Sequence, residues 1–170
     1  TPAACYAHIN ERNLENDIAL QALPGSKLYN KALGKGIDLI AGGGRRFFVP
    51  SGVMDEEGDK GRRSDNKDLR QEFQKQGYKY VWNRGQWNAL RPQDMPVLAL
   101  FESSHMEYEY DRHLDVGREP SLAEMTAKAV QLLSRNPKGF VLMVEAGRID
   151  HAHHACNAYR AITDTEIFDE

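Results

Sequence analysis

The sequence predicts an α/β fold in which a mostly parallel central sheet is flanked by helices. Three observations predict it. Short apolar runs alternate with longer amphipathic ones along the 170 residues. Glycine, proline or polar turns punctuate the runs. Phe140 to Val144 is continuously apolar, as in a strand covered on both faces.

Taken in order, Gly36 to Ala41 (Gly-Ile-Asp-Leu-Ile-Ala) reads as a buried strand closed by Gly42-Gly43-Gly44. Phe47 to Ser64 has no periodicity and clusters its charges at Asp55-Glu56-Glu57 and Lys60-Gly61-Arg62-Arg63, as functional or mobile loops do. Asn66 to Gln76 reads as a helix capped near Asp65 and stopped by Gly77. Tyr78 to Trp82 and Pro96 to Phe101 read as two more strands. Ser121 to Leu133 carries apolar residues at Leu122, Met125, Ala129, Leu132 and Leu133, and Ser121 with Glu124 makes a capping box. Asn136-Pro137 and Gly139 end that helix. Phe140 to Val144 follows as the apolar strand, and a last helix is expected from about Ile149 to the end. Such sheets bind ligands at the carboxyl ends of their strands, which directs attention to the residues after Ala41, Leu100 and Val144.

Composition narrows the function. The chain has 22 Lys plus Arg against 25 Asp plus Glu, a net charge of -3. That balance argues against a general nucleic-acid binder. A hydrophobic share of 41% suits a packed core. No apolar run approaches the roughly 18 residues of a membrane span. Cys5 and Cys156 belong to no Cys-x-x-Cys motif; they read as two buried free thiols, with pairing left open. The chain begins at Thr1-Pro2 without a methionine and stops inside a helical pattern, so it is expected to be part of a longer protein.

The chemistry concentrates in Glu145 to His154 (Glu-Ala-Gly-Arg-Ile-Asp-His-Ala-His-His). Asp150 and His154 are four apart, which on a helix puts their Cβ atoms about 5–6 Å apart on one face. A carboxylate and an imidazole so placed can share a zinc ion. Glu145, at a strand end, offers a hard oxygen suited to magnesium. A histidine-rich helix face is also compatible with a solvated surface, and the residues alone leave both readings open.

Val144 to His154, followed by Ala158-Tyr159-Arg160-Ala161, closely resembles the metal-site signature of alkaline phosphatases. Further stretches resemble that family in order along the chain: Thr1-Pro2-Ala3 with Tyr6-Ala7-His8 and Arg12-Asn13, Leu39 to Arg45, Tyr80 to Arg84, Leu100-Phe101-Glu102, and Pro120-Ser121-Leu122 through Pro137. The resemblance implies a zinc- and magnesium-dependent phosphomonoester hydrolase working through a phosphoserine. It implies that Asp150 and His154 are zinc ligands, that Glu145 and the Thr1 hydroxyl contact magnesium, and that Arg12 binds phosphate. It gives His151 a tuning role near phosphate and magnesium; His153 has weaker support. A calcium ion, as in animal-type members, would take Glu57, the Phe101 carbonyl, Glu102 and Glu119. The stretch from about 47 to 120 then reads as an irregular metal-binding insertion in one domain spanning the chain.

The chain departs from the family pattern in several places. The stretch after Arg12 is shorter than in many animal relatives and lacks their cysteine. The serine nucleophile, the other zinc ligands and the bridging aspartate have no counterpart here. The isolated chain is therefore expected to be inactive, with the remaining segments of the parent protein as its partners. Phosphomonoesters and inorganic phosphate are the expected ligands, and a homodimer the expected assembly. Family habit implies an extracellular, cell-surface (including lipid-anchored) or periplasmic location. A sulfatase or phosphomutase of the same superfamily, or a non-catalytic metal-binding fragment, are the alternatives.

Overall fold

The structure is a computed structural model and describes residues 7–115 and 117–169. Its sheet has three parallel strands, β1 (Leu39–Gly42), β2 (Lys79–Val81) and β3 (Val97–Leu100), in the order β1-β3-β2. Leu39 pairs with Val97 and Gly42 with Leu100 on one side of β3; Lys79 pairs with Val97 and Val81 with Ala99 on the other. The α/β class and the parallel sheet expected from the sequence are what the chain adopts.

β3 is central because every one of its side chains is apolar and buried. Successive side chains of a strand point to opposite faces, and the two cores follow that alternation. Leu98 and Leu100 join Ala19, Ala22, Leu69, Phe73 and Tyr78, contributed largely by α1 (Asn16–Ala22) and α2 (Leu69–Lys75). Val97, Ala99 and Phe101 join Trp87 of α3 (Arg84–Ala89) and Met125 and Leu132 of α4 (Leu122–Leu133). Aromatic pairs lock each side edge to face: Phe73 with Tyr78 at 4.9 Å and Trp87 with Phe101 at 5.6 Å.

Several expectations are corrected. The helix placed at Asn66 starts at Leu69, because Asn66 has φ 57, Asp68 is the cap, and Asp65 is engaged by Arg63. The helix expected to run unbroken from Ile149 is two, α5 (Gly147–His154) and α6 (Ala158–Asp169), which pack on each other. The break falls at Cys156, whose φ of 52 leaves the helical region. That turn also leaves the Cys156 thiol free and exposed rather than buried; Cys5 lies outside the described residues. Phe140 to Val144 joins no ladder among the described residues, and Val141 is 97% exposed. Apolarity predicts a covered strand, but among the described residues the segment shares only a cavity with the edge strand β1 and pairs with none. Sequence periodicity also passed over α1 and α3, each under two turns long. The stretch 47–120 contains α2, β2, α3 and β3, with irregular chain on either side of them.

Candidate metal centre

The turn after β1 is tied to the loop after β3. Gly44 N–H donates to the Ser104 carbonyl (2.6 Å), Arg45 N–H to Glu102 (2.9 Å) and Arg46 N–H to Ser103 (3.1 Å). A Cβ at Gly43 would lie 2.4 Å from the Ser104 carbonyl oxygen, so this approach requires glycine. The two strand ends thereby present their loops side by side. Next to them opens a cavity of about 640 Å³, lined by Gly42 to Gly44, His105, Leu142 to Arg148 and His151. The unpaired segment before α5 thus forms one wall, facing the end of β1.

Four of the residues singled out from sequence line this cavity: Arg12, Glu119, Glu145 and His151. Arg12 begins a short 3-10 turn, Arg12–Leu14, and is exposed, as is Glu145. His151 is half-buried, with Nδ1 3.1 Å from Nη1 of Arg148 and its ring against His105. Asp150 and His154 do share one helix face, 3.5 Å apart, but that face is exposed and outside the cavity lining. Zinc takes four ligands, and among the described residues no third acid, cysteine or histidine is gathered with this pair. The pair fits zinc as a partial ligand set only. His153 is exposed. Thr1 lies outside the described residues.

The second group is an acid cluster on the loops after β1 and β3. Oxygens of Glu57, Glu102 and Asp115 lie within 4.8 Å of one another. Beside them Glu119 is 2% exposed; one oxygen accepts the Glu107 N–H at 2.9 Å, and the other is buried without a partner. One Glu57 oxygen is also buried unpartnered. Burial first, then the neighbouring acids, push the carboxyls of Glu102 and Glu119 up to about 8. Arg45, fully buried, contacts Glu57 and Asp55 and donates from Nη1 to the carbonyls of Leu100 (3.0 Å) and Phe101 (3.4 Å). One guanidinium does not satisfy this many oxygens. The unpartnered buried oxygens of Glu57 and Glu119, beside half-buried Glu102 and Asp115, make a donor set that suits a hard cation. The structure brings Glu57, Glu102 and Glu119 into one neighbourhood. Asp115 was not singled out from sequence; the one available signal was another oxygen donor on the loop shared by Glu102 and Glu119.

Parallel strands with a cavity at their carboxyl ends, and hard oxygen donors gathered on the adjoining loops, define an α/β protein whose donor set suits a cation. More particularly, the chain belongs to the alkaline phosphatase family, whose model matches residues 1–170. It is 41% identical over 182 residues to the membrane-bound alkaline phosphatase of Bombyx mori, covering 97% of this chain and 32% of that one. It is 38% identical over 189 residues to the tissue-nonspecific alkaline phosphatase of Homo sapiens, covering 99% and 35%. The crystal structure of Thermus thermophilus alkaline phosphatase superposes with a TM-score of 0.78 at 35% identity, over 98% of this chain and 31% of that one. A variant of the alkaline phosphatase from the Antarctic bacterium TAB5, solved with magnesium bound, gives 0.67 at 25% identity, over 99% of this chain and 41% of that one. The chain thus spans about a third of the length of the curated relatives it matches.

Proposed function

We propose that this chain forms part of a metal-dependent phosphatase that hydrolyses phosphate monoesters at alkaline pH. The observation that carries the reading is the convergence of Arg12, Glu145 and His151 on one cavity in a chain of this family. The Arg12 guanidinium would bind two phosphate oxygens through its planar fork. His151 would tune the same region. Asp150 and His154 would hold zinc, and Glu145 with Thr1 would hold magnesium. When bound, these ions supply Lewis-acid stabilisation of the charge that builds on the phosphoryl oxygens. Hydrolysis would pass through a phosphoserine on a serine outside this chain. Glu57, the Phe101 carbonyl, Glu102 and Glu119, joined by Asp115, would hold calcium in an insertion of about 47–120 within a single domain. The parent is read as a homodimer at the cell surface (including by a lipid anchor), outside the cell or in the periplasm.

The test is hydrolysis of p-nitrophenyl phosphate at alkaline pH by the full-length protein, with metal analysis. Zinc and magnesium with chelator-sensitive turnover are expected. Arg12→Ala should cost about 2 kcal/mol in transition-state stabilisation, the loss of a charge-assisted contact. Turnover that survives complete metal removal would refute the reading.

A second reading, a metal-binding structural role for this chain, is favoured by one contrast. The acid cluster draws all its side chains from these residues, whereas the Asp150–His154 pair is exposed and incomplete. Calcium should raise the Tm of the 170-residue chain, and Glu102→Gln should remove that response. A Tm indifferent to calcium would exclude it.

A further inference from the structure

His151 is gripped from two sides. Its Nδ1 lies 3.1 Å from Nη1 of Arg148, one turn earlier on α5. A guanidinium can only donate, so Nδ1 accepts with its lone pair and the ring proton sits on Nε2. Arg148 is itself fixed: its guanidinium carbon stands 3.7 Å from the centroid of the Tyr108 ring. Arg160 of α6 stacks on the same ring at 4.9 Å and pairs with Asp111 at 2.7 Å. The His105 ring meets that of His151 at 4.4 Å and 67°. Burial first, then His151, Arg148 and Arg46, hold the His105 imidazole below its ordinary range, which disfavours a second cation against the His151 ring. His105, Arg148 and His151 all line the cavity.

We propose that Arg148 is a positioning residue that keeps the His151 ring proton on Nε2, with His105 fixing the plane of the ring. His151 then serves the cavity as a hydrogen-bond donor to an anionic oxygen rather than as an acceptor or base. That the oxygen belongs to phosphate rests on the phosphatase reading above; the tautomer does not. Tyr108 acts one step further out, by stacking on Arg148.

The experiment is long-range proton–nitrogen NMR on the full-length protein labelled with ¹⁵N-histidine, the His151 signals being identified by their loss in His151→Gln. In the wild type, Nε2 should carry the proton and Nδ1 should show the shift of an acceptor nitrogen. In Arg148→Met the two tautomers should mix. Its kcat/KM for p-nitrophenyl phosphate should fall about tenfold, the worth of one charge-assisted hydrogen bond. Arg148→Lys, which can still donate, should restore part of both readouts. A wild-type His151 protonated on Nδ1 overturns the proposal, and that spectrum decides even if a variant fails to fold. An unchanged tautomer and unchanged kcat/KM in Arg148→Met would overturn it too. Lack of any turnover alongside an Nε2–H signal would remove the phosphatase reading and support this one.

Discussion

Tyr78 joins the start of the sheet to the α2 core through one side chain. Its hydroxyl donates to the Ile37 carbonyl at 2.8 Å, and its ring meets Phe73 edge to face at 87°. Gly36 makes room for it, since a Cβ there would come within 2.7 Å of the hydroxyl. Burial, first among the causes, pushes the phenol up to about 12. The sign of the resulting pH effect follows from proton counting. Below the unfolded tyrosine's value near 10, folded and unfolded states are both protonated and nothing changes. Between that value and about 12 the folded state keeps a proton that the unfolded state loses, so stability falls as pH rises. The full contribution is about 2–3 kcal/mol, at roughly 1.4 kcal/mol per unit. Denaturant melts of wild type and Tyr78→Phe across this window should therefore converge in favour of the variant. At neutral pH the variant should lose about 1 kcal/mol for the missing hydrogen bond. A gap between the two proteins that stays constant with pH would show that Tyr78 titrates as an exposed phenol.

Among the elements, α4 is the one the sequence specifies most completely. Ser121 accepts the Glu124 N–H at 3.1 Å, and Glu124 accepts the Ser121 N–H at 2.9 Å. Ser121→Ala should cost about 1 kcal/mol in urea unfolding; no loss would mean that water caps the helix equally well. The box was legible because both residues are local and the apolar spacing behind them agrees. Legibility failed where a distant partner decides. Asp65 looks like a cap for α2, but Arg63 takes it, at 2.5 Å from the guanidinium, and capping passes to Asp68. Nothing in the residues around Cys156 announces a left-handed turn, yet it divides the last helix. The candidate site divides the same way. The Asp150–His154 pairing follows from helical spacing, and Glu57 and Glu102 entered through family resemblance. Asp115 joins them only because the loop after β3 folds back. The grip of Arg148 and His105 on His151 needs α5 seated against that loop, which no periodicity encodes.

At the scale of the whole molecule, the least settled surface is the apolar run that leads into the cavity wall. Phe140, Val141 and Met143 expose apolar side chains in a row before α5, and Ile162 and Phe168 of α6 add to the exposed apolar area. A strand-like apolar run without a ladder is uncommon on a finished surface, since unpaired edges and contiguous apolar patches favour association. Curated relatives are about three times as long as this chain, so in a protein of their length the same run would have more chain available to cover it. The contrast can be measured with one substitution. In the 170-residue chain, where Val141 is 97% exposed, Val141→Asp should shift unfolding free energy by less than about 0.5 kcal/mol. In the full-length protein the same change should cost about 2–4 kcal/mol, because a carboxylate would be buried without a partner. Equal, small effects in both would mean that Phe140 to Val144 stays open to solvent in the parent. The cavity wall would then be a free edge, and Glu145 would be presented by a segment with no sheet to hold it.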